Sequence, residues 1–275
     1  MKKRLKNYLL AGLCILFSAR VVLADETKPI VFEHNLEVAF GTSYFEYEEP
    51  KMEEDGFMYG VVGNYTYHGN NKLMINASLE YSFGDLDYDG EYWDGTPARA
   101  NTDDWIVECR ASVGYDYVVH GKHLITPFVG LGYRYWNDDI DGPGGYEREV
   151  EYWYTPIGLK TVSRLSDNWR WGIGIEYDLF WGGRVKSYLS DANPGYNDPS
   201  LDQDFGDGYG VRFSLRFTRD LHKNYALSVE PYITYWDIDE SDTSILTSYG
   251  MPTGYYVYEP ENDTTSYGLR MSLEF

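Results

Sequence analysis

Asp85-Leu86-Asp87-Tyr88-Asp89-Gly90 is the densest run of chemistry-bearing residues in the chain. Two carboxylates at this spacing can share a proton and work as an acid–base dyad, because like charges at close range drive one pKa up. Asp85, Asp87 and Asp89 also offer hard oxygens to Ca²⁺, although no glutamate follows at the spacing that closes a calcium loop. Other acids gather at Glu91, Asp94, Asp103 and Asp104, at 191–207 and at 237–263. A hydrolytic dyad also needs a base for its water, and the five histidines are His34, His68, His120, His123 and His222. Whether any of them meets Asp85 depends on the elements that carry them.

Those elements read as β-strands. Side chains of a strand alternate with period two, and ten segments alternate apolar with polar residues. They run at about 33–47, 57–68, 73–83, 105–117, 124–135, 150–162, 169–181, 209–218, 225–236 and 265–275. Trp169, Trp171, Ile173, Ile175, Tyr177, Leu179 and Trp181 share one face of the seventh segment. The connections alternate short (69–72, 119–123, 163–168, 219–224) and long (48–56, 84–104, 136–149, 182–208, 237–264). All five histidines fall at the short-turn end. A base acts over about 3 Å, and the far end of a spanning strand is roughly 25 Å away. No complete catalytic set therefore forms around Asp85 and Asp87, and a solvated acidic surface is expected there ahead of a bound cation.

The last segment carries Tyr267, Leu269, Met271, Leu273 and Phe275 on one face and Gly268, Arg270, Ser272 and Glu274 on the other. It resembles the closing strand of a bacterial outer-membrane β-barrel, a class in which a terminal aromatic is read by the barrel-assembly machinery. The front of the chain agrees. Lys2, Lys3, Arg4 and Lys6 precede an apolar run from Tyr8 to Phe17, and Val22-Leu23-Ala24 offers a cleavage site, so residues 1–24 read as a signal peptide. Leu13 before Cys14 is too large for a lipid-attachment site. The formal charge is -21. Removing the five leader positives (Lys2, Lys3, Arg4, Lys6, Arg20) leaves -26 over residues 25–275, which excludes nucleic-acid binding. Cys109 remains as a lone cysteine, so no internal disulfide forms.

Lipid admits only helices and closed barrels, and spanning strands of about 9–11 residues suffice. The expectation is one domain, an all-β, ten-stranded antiparallel transmembrane barrel with up-and-down connections. Its rival is a soluble β-sandwich whose greasy faces form the core. In the barrel, inward positions carry Glu37, Glu80, Glu108, Arg110, Asp116, Arg134, Glu176, Asp178, Arg212, Glu230 and Arg270. Shielded charges are tolerated when paired, so a salt-bridged plug is expected, with a narrow charge-lined channel as the alternative.

Strand number, loop rhythm and Asp85-Leu86-Asp87-Tyr88 at the top of the third strand resemble the omptins, ten-stranded outer-membrane proteases. Asn197-Asp198-Pro199 echoes that family's fourth loop. The resemblance implies a second catalytic half, Asp-x-His, in this region. Here Pro194-Gly195-Tyr196 stands nearest, and the pair is missing. The sequence thus leads to a non-enzymatic surface or envelope barrel in the outer membrane of a Gram-negative bacterium, with both termini periplasmic and acidic, Tyr-rich loops outside. Its expected partners are membrane lipid and lipopolysaccharide; no cofactor is expected, and Ca²⁺ or Mg²⁺ at the acidic loops is the alternative to a bare acidic surface. A narrow porin-like channel and an omptin-like protease are the alternatives.

Overall fold

The computed structural model describes residues 30–92, 95–222 and 225–275; the leader expected over 1–24, and Asp94, lie outside them. The strands are β1 (His34–Glu49), β2 (Met52–His68), β3 (Leu73–Glu91), β4 (Pro97–Tyr115), β5 (Tyr117–Val119), β6 (His123–Ile140) and β7 (Glu147–Ser166). They continue with β8 (Trp169–Ser187), β9 (Ser200–Gln203), β10 (Gly208–His222), β11 (Tyr225–Ile238), β12 (Ser244–Ser248), β13 (Met251–Val257) and β14 (Asn262–Glu274). Ten of them close an antiparallel barrel in the order β10-β11-β14-β1-β2-β3-β4-β6-β7-β8, and β8 pairs back onto β10. Consecutive strands are neighbours, and β14 returns to β1, so the topology is the expected meander. β5 prolongs β4 past Asp116, β9 pairs antiparallel with the top of β8, and β12–β13 form a hairpin in the last connection. One short helix, α1 (Leu189–Ala192), sits in the connection after β8.

The alternation sends large apolar side chains outward. Phe40 is 66% exposed, Ile175 55% and Leu79 54%, while Phe45, Tyr154, Phe180 and Trp236 in the lumen are at most 2% exposed. A soluble sandwich would bury the first set. A barrel in lipid shows it to hydrocarbon. Rings border this greasy band. Toward the long loops, Trp105 meets Tyr135 (centroids 5.0 Å apart), Tyr133 meets Trp153 (4.7 Å), and Tyr44 lies between Phe57 and Tyr267 (5.3 and 5.6 Å). Tyr115 and Tyr117 pair at 4.8 Å near the short turns. Aromatic girdles of this kind sit at membrane interfaces.

The short turns follow from local chemistry. His120 (φ 52°) and Gly121 (φ 64°) both occupy the left-handed region, and Lys122 N–H donates to Val119 O (3.2 Å). That is the mirror-image two-residue turn whose twist suits a hairpin, and it fixes His120 at the end opposite Asp85.

The long connections differ from expectation. β3 and β4 each run 19 residues and continue well past the girdle, so only 92–96 connects them. Likewise β1 and β2 meet across Pro50 and Lys51, and β6 and β7 across 141–146. The strand period continues through Asp85, Leu86, Asp87 and Tyr88. Beyond the membrane the outward side chains become charged, so the apolar half of the signal stops while the strand does not. Eight residues beyond Phe83, at about 3.3 Å each, lift the barrel wall roughly 26 Å along β3.

Candidate functional site in the barrel lumen and on its collar

Inward charges from the middle of the strands meet across the lumen. Arg216 grips Glu37 with two bonds (Nη1–Oε2 and Nη2–Oε1, both 2.9 Å) and donates Nε–H to Glu230 (2.5 Å). Arg270 donates to both oxygens of Glu80 (2.7 Å each), with its guanidinium over the Tyr232 ring. Arg110 donates to Glu176. Arg212 reaches Glu108 (Nη1–Oε2 2.8 Å) and Asp178 (Nε–Oδ2 2.6 Å). Arg134 is buried beside Glu108 on β6, and its Nε–H finds no acceptor. Asp116 stands apart, holding His68 Nδ1 (2.7 Å) and accepting from Thr126 Oγ1 (2.6 Å). Arg216 and Lys160 were missed by the sequence reading, although Arg212, Ser214 and Arg216 share one parity on β10.

A cavity of about 260 Å³ lies among these groups, lined among others by Glu37, Lys160, Arg216 and Arg270. Above it the lumen is filled. Phe45 packs edge-on to Trp136 (5.5 Å), Tyr152 to Phe180 (5.4 Å) and Tyr154 to Trp236 (5.1 Å). Gly132 makes room for this layer: a Cβ there would stand 2.1 Å from the Tyr154 ring. Tyr154 in turn donates to Glu108 (2.6 Å), tying the aromatic layer to the charges below.

A second charge cluster caps the aromatic layer. Arg148 donates to Asp138 (Nε–Oδ2 2.8 Å), Glu49 (3.0 Å) and Glu259 (3.2 Å), and lies between the rings of Tyr47 and Trp136. Glu54 and Asp104 complete the group, giving five carboxylates to one guanidinium. Glu259 lies in the last connection, beyond the spanning segments. Burial, against the pull of Arg148, pushes its carboxyl up to about 7. Burial, and then Asp138, raise Glu54 well above the carboxylate range. The loops expected at 48–56 and 136–149 leave Glu54, Asp138 and Arg148 outside the barrel; the structure instead carries them on β2, β6 and β7, pointing inward.

The autotransporter beta-domain model matches residues 39–206, more than half of the chain. The chain belongs to the autotransporter beta-domain family. It is an outer-membrane β-barrel, as that membership and the lipid-facing wall both require. Among solved structures it is similar to the outer membrane protease OmpT from Escherichia coli, with 12% identity, TM-score 0.61, and coverage of 94% of this chain and 99% of that one. At that identity the likeness is one of fold, and it agrees with the ten-stranded, omptin-like architecture. The translocator domain of autotransporter NalP from Neisseria meningitidis aligns at 9% identity and TM-score 0.45, over 100% of this chain and 94% of that one. No curated protein matches the sequence.

In this autotransporter-family barrel, Asp85, Asp87 and Asp89 point outward, and Leu86 between the first two is fully buried in the lumen. Asp85 stands opposite Asp103, Asp87 opposite Asp55 and Asn101, and Asp89 is paired with Arg99 (2.9 Å). His34, His68, His120 and His123 all lie at the short-turn end. His123 Nδ1 meets Ser163 Oγ at 2.8 Å, but among the described residues no carboxylate is bonded to that histidine. The Thr126 hydroxyl donates to Asp116 and not to His68, so its proton is directed away from the base. Neither arrangement assembles a nucleophile with an oriented base.

The outward acids form a collar just beyond the girdle. Across neighbouring strands, Asp263, Glu48, Glu53 and Asp89 lie in one row, and Glu46, Asp55 and Asp87 in the next. Asp85, Asp103, Asp139 and Glu147 continue it on β3, β4, β6 and β7. Oxygens of Glu46, Glu48 and Glu53 lie close enough to share one cation. Partial burial, with Glu48 bonded beside it, pushes Glu46 up to about 7. Arg184 and Lys186 offset the collar on β8; on the β1–β4 side Lys51 and Arg99 pair with Glu91 and Asp89, and neither is paired with Glu46, Glu48 or Glu53.

Proposed function

We propose that this barrel is a non-catalytic surface protein of the Gram-negative outer membrane, closed in its lumen and acting through its outer wall. Its long-loop end faces outside and its termini face the periplasm. The collar binds Ca²⁺ or Mg²⁺, and those ions bridge it to the phosphates of neighbouring lipopolysaccharide. The observation that carries this reading is the position of the collar, a row of like charges immediately above an aromatic girdle, at the depth of anionic headgroups. Carboxylates there would repel phosphate unless a hard cation neutralised both. The aromatic layer over the charged lumen supports a closed barrel over a porin-like conduit. The outward Asp85 and Asp87, far from every described histidine side chain, support a non-enzymatic role over an omptin-like one. Assembly through the terminal strand by the barrel-assembly machinery belongs to the same reading.

The test is retention of lipopolysaccharide by the refolded full chain. In Mg²⁺, retention should exceed that in EDTA at least tenfold, and the triple variant Glu46→Gln/Glu48→Gln/Glu53→Gln should lose most of the difference. Equal retention with and without cations would remove the bridge. An epitope inserted at 92–96 should be reached by antibody on intact cells; an inaccessible epitope on a correctly inserted barrel would reverse the orientation.

A further inference from the structure

Inside the wall, three carboxylates from three strands converge above the aromatic layer. Oxygens of Glu54 on β2, Asp104 on β4 and Asp138 on β6 lie within 4.8 Å of one another, and the residues are 0%, 3% and 0% exposed. Protons alone can neutralise such a cluster, so the distribution of hydrogen bonds matters more than the count of acids. Asp104 is oriented by Trp136 Nε1–H (2.6 Å) and by the Thr102 hydroxyl. Asp138 Oδ2 takes Arg148. Both oxygens of Glu54 and Oδ1 of Asp138 have no hydrogen-bond partner, and Arg148 comes no nearer to Glu54 than 3.6 Å. Three free carboxylate oxygens therefore face a buried point that the one nearby cation serves poorly.

We propose that Glu54, Asp104 and Asp138 hold a single divalent cation of the calcium class inside the barrel. The donor set is all hard oxygen, with no nitrogen or sulfur, which suits Ca²⁺ or Mg²⁺ over transition metals. An ion about 2.3–2.6 Å from each ligand accepts oxygens up to about 4.6–5.2 Å apart, and the three ligand oxygens lie within 4.8 Å of one another. Calcium tolerates irregular shells of protein oxygens, whereas Mg²⁺ demands near-octahedral geometry and keeps several waters, which suits a buried site less well. Trp136 and Thr102 hold Asp104 as outer partners hold a ligand in built metal sites. β3 separates β2 from β4 in the wall, so the ion ties together strands that do not all pair. This site is on the inner wall and does not rest on the collar reading.

The experiment uses the full chain refolded in detergent, stripped with EDTA and desalted. Terbium is titrated with tryptophan excitation, since the Trp136 indole bonds one ligand. The expected result is a tight phase of sensitised emission saturating at one ion per chain, displaced by Ca²⁺ at least tenfold more effectively than by Mg²⁺ and present equally in the collar triple variant; ions on the collar add a separate phase that the triple variant lacks. Ca²⁺ should also raise the thermal midpoint of the collar variant. Glu54→Gln in that background should abolish the tight phase and the Ca²⁺-dependent shift, which separates this site from the surface one. Folding of each variant is checked by heat-dependent gel migration, and Asp138→Asn replaces Glu54→Gln if the latter does not fold. Absence of saturable emission from the folded wild-type barrel would overturn the proposal. So would a tight phase that survives Glu54→Gln or Asp138→Asn, or that disappears only in the collar variant. A metal-independent gain in stability on Glu54→Gln, with no response of the wild type to Ca²⁺, would show that protons alone fill the role.

Discussion

Arg212 on β10 crosses the lumen to Glu108 on β4, a residue 104 positions away in sequence, while its Nε–H holds Asp178 on the adjacent β8. One guanidinium thereby links opposite walls of the barrel. Its removal leaves Asp178 and Glu108 buried without their guanidinium, with the Tyr154 hydroxyl still donating to Glu108. Arg212→Met should destabilise the barrel by about 3–5 kcal/mol, the cost of stranding a buried partner, read as a lower urea midpoint in micelles. Adding Glu108→Gln should recover part of that loss. An additive double variant would show that the two residues are not coupled.

The outer wall is tested at Leu79, in the middle of the apolar face of β3. Leu79→Arg places a charge against hydrocarbon and should cost about 2–4 kcal/mol at the bilayer midplane. The same substitution at Asp87, on the collar of that strand, should cost far less. Equal costs at the two positions would contradict the assignment of the lipid-facing band.

The end of the chain is held by its first strand. Leu36 N–H donates to Phe275 O, and Phe275 N–H to Leu36 O, both at 2.8 Å. Deleting Phe275 removes both bonds and the terminal aromatic. The expected outcome is a sharp fall in assembled barrel in the outer membrane, measured by heat-dependent gel migration. Normal assembly of the truncated chain would count against a role for the terminal strand.

Much of this fold was legible because one period served throughout. Leu79, Tyr81 and Phe83 give outward parity, and Glu80 between them gives inward parity. Residues beyond Tyr47, Phe83 and Tyr135, and those before Trp105, were harder, because outward apolar residues cease at the girdle while hydrogen-bonded strands continue. Extending the parity of β3 would have sent Asp85 and Asp87 outward and Leu86 inward. The same extension brings Glu54, Asp138 and Arg148 into the lumen. Their convergence was not legible at all, since cross-barrel contacts depend on stagger between strands that do not pair.

Acid–base linkage gives a further expectation. Glu259 has a folded pKa raised by burial to about 7, above the usual value near about 4. The folded state therefore holds a proton that the unfolded chain releases. That contribution to stability is complete below about pH 4 and is lost as pH rises through about 7. In metal-free buffer the urea midpoint should fall between these limits, and Glu259→Gln should flatten the fall. A midpoint that rises with pH over the same window would reverse the sign and refute the assignment.

The claim beneath the proposed role is that charge pairs and the aromatic layer of Phe45, Trp136, Tyr154, Phe180 and Trp236 close the lumen. Single-channel recording of the refolded barrel in a planar bilayer tests it most directly. A closed lumen predicts a silent bilayer at insertion levels verified by protein recovery. Discrete, reproducible conductance steps from the wild-type chain would contradict it, and would restore the conduit reading.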